Sequence, residues 1–145
     1  MEAGRCVEVL DPYQWMPGHG ENSVEVFMER SGFTVSDLVV TVSYDGEDGK
    51  EQQKKITFTN VSAFYRGSFP GPAMLRITHS TENKENISIG SLVEYPESEA
   101  AQAWIKHYKN HSHYERAVKH YMWIFLSENV MLEVFAEGVQ WENLV

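Results

Sequence analysis

The sequence predicts an α+β fold: a mainly antiparallel β-sheet, sandwich or half-barrel like, with one principal helix at about residues 98–109. Three observations predict it. Several short runs alternate apolar and polar residues and are separated by clusters of Gly, Asp, Pro and Ser. One segment carries helical spacing behind a start signal. The C-terminal stretch from His120 to Glu137 sets two strongly apolar runs either side of Ser127-Glu128-Asn129, which reads as a β-hairpin central to the sheet.

Taken in order, residues 5–10 form a short first strand, followed by a loop punctuated by Asp11-Pro12 and Met16-Pro17-Gly18-His19-Gly20. From Ser23 to Glu29, Val24, Val26 and Met28 point one way and Glu25, Phe27 and Glu29 the other, the pattern of a half-buried antiparallel strand. Leu38 to Tyr44 and Lys54 to Thr59 flank the turn Asp45-Gly46-Glu47-Asp48-Gly49-Lys50 and make a second hairpin. Past Phe58 the alternation slips, because Val61 and Phe64 are out of step with Ile56 and Phe58, and a bend or bulge near Asn60 follows. Ala73 to Thr78 and Ile87 to Tyr95 are further strand candidates. Pro96 and Ser98 then start the helix, Glu99 suits its first turn, and Lys106 and Lys109 suit its last. Ala101, Trp104, Ile105 and Tyr108 form its apolar stripe. In the terminal hairpin, His120, Met122, Ile124 and Leu126 share one face, and Tyr121, Trp123 and Phe125 share the other. Val130, Leu132, Val134 and Ala136 are apolar throughout, opposite the mixed row Met131, Glu133, Phe135 and Glu137.

A chain of 145 residues is expected to be one domain, 1–145, able to bury roughly 70% of its unfolded surface. A net charge of −9 argues against a nucleic-acid or anionic-membrane partner and favours a basic one, although plain solubility explains it too. The single cysteine, Cys6, allows no internal disulfide. No signal-peptide layout opens the chain and no apolar run nears the ~18 residues of a membrane span, so the expectation is a cytoplasmic protein, monomer or homodimer, outside the membrane.

Candidate chemistry gathers in residues 104–123, which hold four of the twelve basic residues (Lys106, Lys109, Arg116, Lys119) against the single acid Glu115, and four of the six histidines. With Trp104, Tyr108, Tyr114 and Tyr121 this is either a binding patch for an acidic group or a helix C-terminus leading into a solvated loop. His107, His111 and His113 have part of a metal-ligand spacing, but no acidic residue completes a recognisable motif, and no metal or cofactor is expected. The Asp45–Gly49 loop lacks the ligand spacing of a calcium-binding helix–loop–helix site. Glu133 and Glu137 could act as paired carboxylates, though alternating glutamates also suit a solvated sheet face. No nucleophile elbow, phosphate loop or dinucleotide fingerprint is present, and an enzyme is not the expectation.

The run Gly90-Ser91-Leu92-Val93-Glu94-Tyr95-Pro96-Glu97-Ser98, the Trp-bearing helix and the hairpin His120-Tyr121-Met122-Trp123-Ile124-Phe125-Leu126 to Leu132-Glu133-Val134-Phe135-Ala136-Glu137, together with the strand Ile56–Val61, resemble small uncharacterised bacterial proteins of the polymorphic-toxin immunity type. The resemblance covers about the last third of the chain and carries no catalytic motif. It implies a protein that binds and blocks a toxin or effector domain, without a cofactor. The first reading is therefore a small acidic protein-binding module, an immunity or inhibitor protein with a basic partner. The alternative is a small-ligand or metal-binding domain, enzymatic or not, built on residues 104–123. Candidate binding residues are Trp104, His107, Tyr108, His111, His113, Arg116, Glu133 and Glu137.

Overall fold

Alternation becomes strand wherever it is clean. The structure, a computed structural model, describes residues 2–11, 14–16, 20–69, 90–111, 115–125 and 127–144. Among these, the strands are β1 (Val7–Leu10), β2 (Ser23–Arg30), β3 (Ser36–Asp45), β4 (Glu51–Gly67), β5 (Leu92–Glu94), β6 (Lys119–Phe125) and β7 (Val130–Leu144), with one helix, α1 (Glu99–His111), between β5 and β6. They form a single open sheet in the order β1-β5-β6-β7-β4-β3-β2, with every neighbouring pair antiparallel. The fold is α+β. The strand candidate Ala73–Thr78 lies outside the described residues, and of Ile87–Tyr95 the described part keeps Leu92–Glu94 as strand.

One face of the sheet supplies a continuous core: Val24 from β2, Leu38, Val40 and Val42 from β3, Ile56 and Phe58 from β4, Leu92 from β5, Tyr121, Trp123 and Phe125 from β6, and Leu132, Val134 and Ala136 from β7. Side chains from both ends of the strand order join this one cluster, Val9 and Leu10 at one end and Val26 at the other, so a single bent sheet does the work of two packed layers. Lys54 also turns to this side. Its ammonium lies 4.7 Å from the centre of the Trp15 ring, and burial holds its pKa below the usual lysine value.

On the opposite face, two groups of described residues provide cover. On β6 and β5, Met122, Ile124, Val93 and Tyr95 pack under Ala3 and Cys6. Beside them α1 lays Ala101, Trp104, Ile105 and Tyr108 over Phe135 and Val118. Residues 120–125 of β6 are therefore buried on both sides, which places the hairpin at the centre as its sequence predicts. Ser98 starts α1 as its N-cap, with Oγ accepting from the Ala101 N–H at 3.1 Å. Glu99 ties the first turn to the N-terminal segment through bonds in both directions with Glu2.

β4 and β7 run far beyond their predicted ends because both change their buried side partway. Phe58 and Val61 belong to the same core although three residues apart, and so do Ala136 and Val139. A strand that kept strict alternation would put the members of each pair on opposite faces. The two changes of side sit across from each other, where Thr59 pairs with Gly138 and Val61 with Ala136, and the register slips just beyond them, before Ala63. Asn60, at φ 51°, takes the left-handed backbone that lets β4 turn over. The expected irregularity near Asn60 is thus a matched kink in two neighbouring strands.

Candidate functional site

The kink opens a groove of about 540 Å³ between the last turn of α1, the connection to β6 and the turn before β3, lined by Thr34, Val35, Asn60, Tyr108, Glu115, Arg116, Ala117 and Glu137. Asn60 is its hub. The Asn60 N–H donates to Asp37 Oδ1 at 2.9 Å, and its side-chain amide donates to Glu137 Oε2 at 2.9 Å. Arg116 Nη2 donates to both the backbone carbonyl and Oδ1 of Asn60. The Arg116 guanidinium also stacks 4.5 Å from the centre of the Tyr108 ring, whose hydroxyl donates to Ser62 Oγ at 2.7 Å. One guanidinium and two carboxylates, Glu115 and Glu137, thus line the same groove beside an aromatic wall. Such a groove can pair with either sign of charge, so the basic patch read from residues 104–123 is here a mixed one.

Three of the predicted residues, Tyr108, Arg116 and Glu137, meet in this groove. His107 and His111 lie on the exposed part of α1 with their rings 4.8 Å apart, and Trp104, packed inward in the helix stripe, adjoins His107 and Tyr108. His113 lies outside the described residues. No group of three or more His, Cys, Asp or Glu side chains that could hold a metal occurs among the described residues. Glu133 does not join Glu137. The four residue steps from one to the other span roughly 13 Å of strand, and Glu133 is buried beside His120.

There it enters a second polar cluster. His120 is 0% exposed, stacked on Phe135 at 4.4 Å and against Tyr95 at 5.0 Å. Its Nδ1 lies 2.7 Å from Ser98 Oγ, and its Nε2 lies 3.4 Å from Glu133 Oε2, an electrostatic contact without hydrogen-bond alignment. Ser98 Oγ, which accepts from the Ala101 N–H, shares a hydrogen bond with Nδ1, and the other ring nitrogen faces Glu133. The order is that of a nucleophile, a base and an acid. Ser98, however, is 1% exposed and caps a helix, so the cluster acts as a clasp that fixes the start of α1 to β6 and β7.

Sequence reasoning missed Phe33. It lies in the turn between β2 and β3 and is 89% exposed. The turn is nonetheless tightly held: Ser31 and Gly32 N–H both donate to the Val35 carbonyl, Ser31 Oγ bonds Asp37, and Arg30 donates to the Gly32 and Phe33 carbonyls at 3.0 Å each. Thr34 and Val35, next along, form one wall of the groove. Ser31-Gly32 marks the turn in the sequence, but nothing there tells an outward Phe from an inward one.

Compared with known proteins, the chain gives no significant match to a protein-family model, to a curated protein or to a solved structure. No described helix is long and apolar enough to cross a membrane.

Proposed function

We propose that the protein is a protein-binding module, most concretely an inhibitor of the immunity kind that occupies a basic domain of a toxin or effector. The observation that carries this reading is Phe33, a large apolar ring held in water by a turn whose hydrogen bonds are already made. Such a side chain adds nothing to the core, and its ordering cost is met before any partner arrives, which is what an interface anchor needs. The groove beside it offers Glu115 and Glu137 to a basic side chain, and the net charge of −9 speeds encounter with a basic protein.

The test is affinity capture with tagged wild-type and Phe33→Ala protein from native lysate, followed by mass spectrometry and a binding titration of what is recovered. A stoichiometric basic protein bound roughly 30-fold more weakly by Phe33→Ala, the effect of losing a ~2 kcal/mol anchor, supports the reading. A partner indifferent to Phe33 sinks it. A second reading, a small-ligand site, draws on the groove itself, because Tyr108, Arg116 and Glu137 converge there. It requires a small molecule to bind wild type and fail on Arg116→Ala.

A further inference from the structure

Among the described residues, the two end strands of the sheet are built differently. β1, at one end of the order, is four residues long, and its register slips between Glu8 and Leu10. A short, bulged edge is poorly fitted to receive another strand. β2, at the other end, is eight residues long and pairs with β3 in unbroken register from Ser23 to Arg30. It contains no proline and no lysine, and its charged side chains are Glu25, Glu29 and Arg30. On its outer side no described strand is paired with it. Phe27 is 50% and Met28 43% exposed, and Glu25 and Glu29 are exposed as well.

We propose that β2 is a docking edge that accepts an extended segment of a basic partner as an additional antiparallel strand, with basic, apolar and basic side chains of that segment set against Glu25, Phe27 and Glu29. This rests on the reading of the chain as a binder of a basic protein and says where and how the partner engages. Glu25, Phe27 and Glu29 share one face of β2 by alternation, so one segment with the same two-residue period meets all three. Residues directly opposite in an antiparallel pair interact most strongly, and opposite charges there stabilise. The same rule disfavours a second copy. The self-paired register that stacks the two Phe27 rings puts Glu25 opposite Glu29 twice, between chains that each carry −9. The backbone edge supplies affinity in strand addition, and the alternate side chains supply selectivity.

The probe is the peptide acetyl-Thr-Lys-Val-Leu-Val-Lys-Thr-amide, titrated into isotope-labelled protein and followed by amide shifts and hydrogen exchange. Controls are a scrambled peptide of the same composition and two versions N-methylated on alternate residues, each blocking one hydrogen-bonding edge. Shifts and new protection across residues 23–30, loss of binding with one N-methylated version only, and about tenfold weakening by Glu25→Lys/Glu29→Lys support the proposal. Equal binding of the scrambled peptide, shifts confined to the Arg116 groove, no binding at millimolar peptide, or protection of residues 23–30 that grows with protein concentration alone would each overturn it. A partner captured through Phe33 while the peptide fails leaves the function standing without this edge. A peptide that docks on β2 while no partner depends on Phe33 leaves the edge standing without that function.

Discussion

Two polar clusters sit at opposite ends of α1, built from similar parts and put to different use. At the N-terminal end, Ser98, His120 and Glu133 are buried, with Ser98 hydrogen-bonded to one ring nitrogen of His120 and Glu133 3.4 Å from the other. Towards the C-terminal end, Asn60, Arg116 and Glu137 are joined by hydrogen bonds just as direct, but they line a groove open to water. A hydrogen bond in the first has no solvent to replace it, so each group lost there leaves its partners unpaired. In the second, water can fill in, and the same groups remain available to a ligand. Burial, more than residue type, separates the cluster that holds the fold from the one that can recognise something.

The sharpest way to break this contrast is His120→Ala. It opens a cavity between Tyr95 and Phe135 and strands Ser98 and Glu133, for an expected loss of about 4 kcal/mol in denaturant unfolding. A loss below 1 kcal/mol would mean that the clasp is not structural. Asn60→Ala comes next, at about 2 kcal/mol, because alanine is strained at a positive φ and the bonds to Glu137 and Arg116 disappear. Asn60→Gly should recover the backbone part, and equal losses for the two variants would remove the kink from the account.

Alkali tests the closed side of the sheet separately. Burial, first, and then the charges of Cys6 and Glu133 push the Tyr95 pKa well above the usual tyrosine value; burial and then Glu94 do the same for Tyr121. A raised folded pKa means stability present below about pH 10 and lost as the unfolded tyrosines ionise above it, at ~1.4 kcal/mol per pH unit for each residue. Unfolding curves should be flat in this respect below about pH 10 and approach that slope above it, and Tyr121→Phe should remove about half of it. The smallest stability effect belongs to Arg116→Ala, below about 1 kcal/mol, since the groove is wet. If it unfolds the protein as His120→Ala does, the open cluster is a second clasp.

Much of the sheet was legible because apolar residues recur at every second position, Val24, Val26 and Met28 in β2 and Leu38, Val40, Val42 and Tyr44 in β3, even though β3 also buries Val39 and Ser43 on its other face. The helix was legible from Ser98 and the stripe Ala101, Trp104, Ile105, Tyr108. What failed was the reach of β4 to Gly67 and β7 to Leu144. Each strand swaps its buried side at the kink, so the two-residue period loses phase midway. For the site, Tyr108, Arg116 and Glu137 were named without being placed together, since only the matched kink brings Asn60 and Glu137 up to the helix. The clasp was invisible for a related reason: Ser98, His120 and Glu133 lie on separate elements that no local spacing connects.

The position of β7 also bears on how the chain is made. It is the middle strand of the sheet yet the last of these elements to be synthesised, and its main neighbour β4 precedes it by roughly 60 residues, or several seconds of translation. During that interval β2, β3 and β4 can pair with one another, but Ile56 and Phe58 lie along a strand whose second edge has no partner. The nascent chain therefore carries a temporarily sticky edge that only later sequence can close. Ribosome-arrested chains ending at Phe125 should stay protease-sensitive, and protection should appear only once Leu144 has cleared the exit tunnel; early protection would show that the meander folds without its central strand.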